Sequence, residues 1–307
     1  MKRNIHKIYD VLLKIIIMAY LAEFLSYIGE KRKIAEILKT EITTLKGKTR
    51  YLDFLCRLED DTLCNIEFQF PIAYPEDLTR FFDYNIVAQI RFDKITDTII
   101  FNFGMENKVL KGIAIGYSKD FHPKNFYLGD IDFEHELEKI NIKLGLGLLE
   151  KLINNNKINI NLTYREELHL LLMSLTPKYN DKKKLLKSIV GLLKNEEIFH
   201  EEKIDVIRSV IRLEIENLLT CDEQKEFEGA IKMTNESEKI IKQAVEEVNK
   251  KYEQIALEEA KEEGIKIGME KGMEKGKRET AKNLKGLHTP EEISKITGLS
   301  LKTILLL

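Results

Sequence analysis

Between Tyr51 and Phe70, apolar and polar residues alternate with a period of two. Leu52, Phe54, Cys56 and Leu58 form one apolar row, and Cys64, Ile66, Phe68 and Phe70 form another. Side chains alternate across a strand, so this spacing predicts strands at 51–58 and 63–70 whose odd positions share the opposite face. Glu59-Asp60-Asp61-Thr62 has turn composition and predicts a hairpin between them. If both rows face one core, paired residue numbers sum to an even value. A sum of 120 sets Asp53 opposite Glu67, and a sum of 122 sets it opposite Gln69.

Elsewhere the period changes. Apolar residues recurring at three and four predict helix over 5–39, and Glu41–Leu45 reads as a strand. Pro71 and Pro75 punctuate the chain before a helix predicted from Glu76 to Phe92. Thr98–Phe103 and Gly112–Tyr117 read as further strands, and after about residue 135 the pattern stays helical. The order predicts an α+β core followed by an all-α C-terminal region. The expected division is a core at 1–135, a helical region at 136–255, and a charged glycine-repeat helix with a short helix pair at 256–307.

From 196 to 285 Glu and Lys are dense and aliphatic residues are spaced, as in amphipathic helices that need a partner. This predicts a homo-oligomer formed through the C-terminal helices, with 196–307 dispensable for folding of the core. Gly264, Gly268, Gly272 and Gly276 would make nearly one stripe where another backbone can approach closely, with a flexible, charged linker as the alternative. Thr289-Pro290-Glu291-Glu292 is a capping box with proline at the first helical position. Gly298 marks a turn and Ser300 can cap a last helix. The pair resembles a helix-turn-helix, but Lys302 is the lone basic residue of its second helix, which favours packing over base reading.

Composition narrows the options. The 307 residues are 43% hydrophobic and 33% charged with a net charge of −2, so global charge does not announce a nucleic-acid partner. Residues 1–50 nevertheless hold eleven Lys or Arg against five Asp or Glu, a local basic surface that could hold phosphates. Cys56 and Cys64 lie on the apolar rows and read as buried thiols of a reducing compartment. The apolar stretch Val11–Ile28 contains Lys14 and Glu23, too polar for a span of about 20 apolar residues. A cytoplasmic protein without membrane association is expected.

The chemistry resides on the odd face of the two strands. Asp53 and Glu67 are direct or diagonal neighbours there, and like charges across a strand pair repel. A divalent cation between them removes the repulsion, since hard cations favour carboxylate oxygen; an acidic solvated face is the alternative. A Tyr-Leu-Asp strand followed by Ile66-Glu67-Phe68-Gln69 resembles the PD-(D/E)xK nuclease superfamily, and more narrowly the Rpn group of recombination-promoting nucleases and transposases. Leu78-Thr79-Arg80-Phe81-Phe82-Asp83-Tyr84, the four-residue glycine repeat and the ending Glu292–Ser300 are similar to that group as well.

The resemblance implies a restriction-endonuclease-like α/β/α core. It further implies a magnesium-dependent DNA endonuclease, with manganese or calcium as other candidate ions, acting on phosphodiester bonds in recombination or transposition. Asp53 and Glu67 would hold the metal. Gln69 stands where the superfamily has lysine; it keeps hydrogen-bonding reach but cannot act as a general base near neutral pH. Glu41 is a candidate further ligand or base, with Glu23 behind it. Lys46, Lys48, Arg50 and Arg80 are candidate phosphate contacts. A catalytically inactive DNA-binding or oligomerisation protein on the same fold is the alternative. No phosphate loop, dinucleotide fingerprint, nucleophile elbow or histidine metal spacing competes.

Overall fold

The computed structural model describes residues 5–43, 49–105, 112–115, 119–154, 161–176 and 181–307. They fall into two compact units, Met1–Lys250 and Lys251–Leu307. The first unit is a mixed α+β structure. It opens with α1 (Ile5–Ala19) and α2 (Leu21–Tyr27); Leu12 and Ile16 of α1, Phe24 of α2 and Tyr20 between them are fully buried. The most apolar stretch of the chain is therefore core, and among the described residues no helix is long and apolar enough to cross a membrane.

The strands are β1 (Ile34–Ile37), β2 (Glu41–Thr43), β3 (Thr49–Tyr51), β4 (Phe54–Leu58) and β5 (Leu63–Gln69). After α3 (Pro75–Phe92) come β6 (Thr96–Asn102), β7 (Ile113–Ile115), β8 (Lys119–Phe121) and β9 (Lys124–Tyr127). Among the described residues the central sheet has the order β1-β4-β5-β6-β9, with β2-β3 and β7-β8 as separate ribbons. The first two pairings are antiparallel and the last two parallel, with α3 as the crossover from β5 to β6.

β1 corrects the helix expected over 5–39. Gly29 takes a φ of +84°, which glycine adopts without strain, and the helical run stops there. Arg32 then clamps the chain to the hairpin: it donates to Glu30 (2.6 and 2.8 Å), Thr62 (2.9 Å) and Asp97 (2.7 Å). Arg32 holds the buried Glu30 carboxyl down at about 2. So placed, residues 34–37 extend along the open edge of β4, a tertiary opportunity that local periodicity does not register.

Both sheet faces are covered. On one, Leu55, Leu63 and Ile100 pack with Leu78, Phe81, Val87 and Ala88 of α3. Asn85 ties that helix to β6, donating to Thr96 O (2.6 Å) and Thr98 Oγ1 (3.0 Å). On the other, Phe24 meets Phe68 and Phe101 at ring separations of 6.4 and 5.3 Å, and Tyr9 meets Phe70 at 4.6 Å.

Beyond the sheet lie α4 (Phe133–Asn154), α5 (Tyr164–Met173), α6 (Lys182–Leu193), α7 (Ile204–Leu218), the short α8 (Cys221–Gln224) and the start of α9 (Asn235–Leu284). α5 packs on α2 and α7 on α1, and Ile207, Val210 and Ile211 of α7 are buried. The first unit therefore reaches to residue 250, and α7 is part of the layer that supports the sheet. Residues 196–250 belong to this unit and do not form a separate one with 251–307. A chain ending at residue 250 is expected to unfold cooperatively in urea near the full-length midpoint; one ending at 195, which exposes the apolar side of α1, is expected to lose that transition.

This layer buries an acid. Glu214 of α7 is fully buried; its Oε1 bonds Ser174 Oγ, and its Oε2 meets no hydrogen-bond partner among the described residues. Ser174 Oγ also lies 3.2 Å from Leu171 O, and a hydroxyl has one proton, so a protonated Glu214 satisfies both contacts. Burial pushes the Glu214 carboxyl up to about 8, against smaller opposing pulls from the Ser174 hydrogen bond and from Lys182. Tyr9, on α1, also faces it. The folded state keeps its proton where the unfolded chain has lost it, so stability falls as pH rises from the ordinary glutamate range to about 8 and then levels. Glu214→Gln is expected to remove that part of the slope in a melting-temperature series over this range.

The second unit contains the rest of α9, α10 (Pro290–Thr297) and α11 (Leu301–Leu306). Its core is Ala281, Ile293 and Ile304. Thr289 and Glu292 form the expected capping box, Gly298 turns the chain at a φ of +70°, and Ser300 Oγ accepts from Thr303 N at 3.2 Å. The glycine repeat is helical throughout, and among the described residues no atom lies within 4 Å of a Cβ added at any of the four. Each interior glycine costs about 1 kcal/mol against alanine.

Candidate functional site

The β4–β5 hairpin has the register that sums to 120: Phe54 faces Ile66, Leu55 faces Asn65 and Cys56 faces Cys64. Leu58 N donates to Thr62 O at 2.8 Å, so even-numbered pairs are the hydrogen-bonded ones and odd pairs are those with closer side chains. Continued two residues further, the ladder would bond Phe68 N to Leu52 O.

The continuation does not occur. The chain bends at Asp53, and Leu52 N turns instead to Thr40 O at 2.9 Å. Leu52 packs in the α3-side cluster with Leu55, not in the row of Phe54, Cys56 and Leu58 where alternation placed it. The predicted strand 51–58 is thus two strands, β3 and β4, because the first belongs to the β2 ribbon. The Asp53 carboxylate replaces the missing ladder acceptor: Phe68 N donates to Asp53 Oδ2 at 2.8 Å.

This sets the Asp53 carboxylate against the peptide that follows Glu67. Glu67 itself is 3% exposed and lies on the α3 side of the sheet, in line with Leu63 by the period of two. Gln69, half-buried, follows on that face, and its partners across β6 are Ile100 for Glu67 and Asn102 for Gln69. Asn102 Oδ1 accepts from Ala73 N at 2.7 Å, which pins the chain after β5 over the strand ends.

One residue of this face was not singled out from the sequence. Asn65 is fully buried two positions before Glu67, and neither its amide nitrogen nor its amide oxygen meets a hydrogen-bond partner among the described residues. A buried amide without partners is costly, at about 1–3 kcal/mol. Its odd number in β5 was the available signal, but an uncharged side chain drew no attention beside Asp53 and Glu67.

The other candidates do not gather here. Glu41 is exposed on β2, which pairs with β3 outside the central sheet; the expected first core strand is β1. Its carbonyl accepts from Arg91. Glu23 sits on α2, on the sheet face opposite Glu67, and acts on Tyr20. Arg80 donates to Asp77 at 3.2 Å and lies over the Phe81 ring. Arg50 belongs to β3; Lys46 and Lys48 lie outside the described residues. Among the described residues no group of three or more His, Cys, Asp or Glu is placed to share a metal ion.

Comparison with family models, curated proteins and solved structures finds no match for this chain. Any reading of the site rests on its own donors. Asn65, Glu67 and Gln69 share one face of β5, Asp53 binds the backbone next to Glu67, and the oxygen donors of these four side chains are of the type a hard divalent cation takes.

Because Asp53 replaces a ladder acceptor, its removal has a structural cost that the sequence alone did not suggest. Asp53→Ala leaves Phe68 N without its acceptor and is expected to destabilise by about 1.5–3 kcal/mol. Asp53→Asn keeps an acceptor oxygen and is expected to recover more than half of that loss in urea denaturation.

Proposed function

We propose that this chain is a metal-dependent DNA endonuclease with a restriction-endonuclease-like core, acting in DNA recombination or transposition. The observation that carries the reading is the Asp53 Oδ2–Phe68 N hydrogen bond, which brings a second carboxylate to the backbone beside buried Glu67. The resemblance of the Tyr-Leu-Asp and Glu-x-Gln strands to Rpn nucleases supplies the chemistry. In this reading Asp53 and Glu67 hold magnesium, manganese or calcium, with the Asn65 amide oxygen as an additional donor. Such a cation supplies charge stabilisation at phosphorus and acidifies water when bound. Gln69 orients water by hydrogen bonding, and Arg80, exposed on α3, meets the DNA backbone. The reading also takes the protein as cytoplasmic, where Cys56 and Cys64 remain free thiols, and as a homo-oligomer through its C-terminal helices.

Gln69 in the lysine position favours a second reading, an inactive DNA-binding protein on the same fold. Plasmid nicking separates them. Nicking by the wild-type chain with magnesium, manganese or calcium is expected to fall about a hundredfold or more in Asp53→Asn and in Glu67→Gln, with DNA binding kept. DNA retention without nicking under any of the three ions would establish the second reading. Nicking unchanged by both substitutions would overturn the site.

A further inference from the structure

β2 packs on α3 through Ile42, which turns into the core with Val87 and Ala88. The other side of the same segment presents Lys39, Glu41 and Thr43, all exposed, at the spacing of two expected of extended chain. With Val87, Ile90 and Arg91 of α3 they line a groove of about 440 Å³. Ile90 is 62% exposed there, an aliphatic surface open to solvent. Arg91 Nη1 donates to Glu41 O and ties the two walls together. Among the described residues neither Lys39 nor Arg91 is held in an ion pair.

The lining therefore combines two cations, one carboxylate, one hydroxyl and an aliphatic wall. A track for bare phosphates would have no use for the wall, and the carboxylate would repel them. A nucleotide uses every part. Cations take its phosphate, an apolar side chain takes the face of its base, and a carboxylate accepts from a base amino group such as cytosine N4. A base inside a duplex is stacked on both faces, so only an unpaired base can lie on Ile90. The groove is also continuous with the candidate site. It lies against α3, the helix that covers Glu67, and Thr40, between Lys39 and Glu41, accepts from Leu52 N at 2.9 Å, one residue before Asp53.

We propose that the groove between β2 and α3 binds one unpaired nucleotide of a DNA strand, with its phosphate at Lys39 and Arg91, its base on Ile90 and a base amino group at Glu41. The inference rests on the DNA partner that both functional readings share, and adds where an unpaired stretch of strand is held and which bases it takes. Cytosine is favoured over thymine, whose one ring N–H lies between two carbonyl oxygens that a carboxylate repels. Glu41, placed off the central sheet, then serves binding.

The test measures binding of labelled short oligodeoxycytidine and oligothymidine by fluorescence anisotropy in EDTA, so that no cleavage intervenes. The wild-type chain is expected to bind the cytidine strand about tenfold more tightly. Ile90→Asp is expected to weaken that binding about tenfold or more. Lys39→Ala is expected to weaken both strands alike and to lower the salt slope by about 0.7. Glu41→Gln is expected to remove most of the preference for cytidine. All three side chains are exposed, and unchanged urea midpoints check that the variants fold. Equal affinity for the two strands, or binding that neither Ile90→Asp nor Lys39→Ala weakens, overturns this inference. Plasmid nicking that depends on Asp53 and Glu67 without such binding also overturns it and leaves the nuclease reading standing. The expected binding without nicking supports the groove and the inactive reading. A wild-type chain that neither binds these strands nor retains or nicks plasmid overturns the inference and both readings.

Discussion

The register of the β4–β5 hairpin is the constraint on which the rest of this structure depends. Both faces of β5 are buried, one under α3 and the other under α1 and α2. A slip of one residue would turn Phe68 towards α3 and drive the Glu67 carboxylate into the aromatic layer of Phe24 and Phe101. Burial on both sides thus fixes which residues share a face, and with it the common face of Asn65, Glu67 and Gln69.

The break at Asp53 follows from the same pairing. Leu52 and Tyr51 are held by the β2 segment, through Thr40 and Glu41, while Phe54 onwards is held by β5. The chain cannot serve both ladders in one straight strand, so it bends, and the side chain at the bend takes over the hydrogen bond that the backbone gives up. A short acidic residue suits that position. The result is a carboxylate fixed just before β4 on the peptide that follows a buried one, an arrangement in which a local structural need and a candidate chemical role fall on one residue.

The helices do more than complete a C-terminal region. α7 covers α1, α5 covers α2, and Arg32 fastens the end of the first helical pair to the hairpin turn and to β6. The sheet is therefore held on one side by residues more than a hundred positions away in the chain. Glu214 shows the same layer from inside: an acid at zero exposure keeps its proton because the surrounding helices exclude water, and no feature of its immediate neighbours in sequence indicates this.

Period-two alternation sufficed to predict the hairpin, its even-sum register and the shared face of Glu67 and Gln69, because side-chain direction in a strand is a local property. The capping box at Thr289, the turn at Gly298 and the helix from 76 to 92 were legible for the same reason, since each is set by residues within one or two turns. What the sequence did not reveal depends on distant partners. Residues 34–37 read as helix and became a strand because β4 offered an edge; Glu41 left the core because β3 paired with it first; Leu52 changed sides because two ladders compete at Asp53. Asn65 became notable only once packing had closed over it. Local pattern determined which side each residue of a segment faces, and tertiary structure alone decided which segments meet, because pairing and burial are set by contacts between residues that the chain keeps far apart.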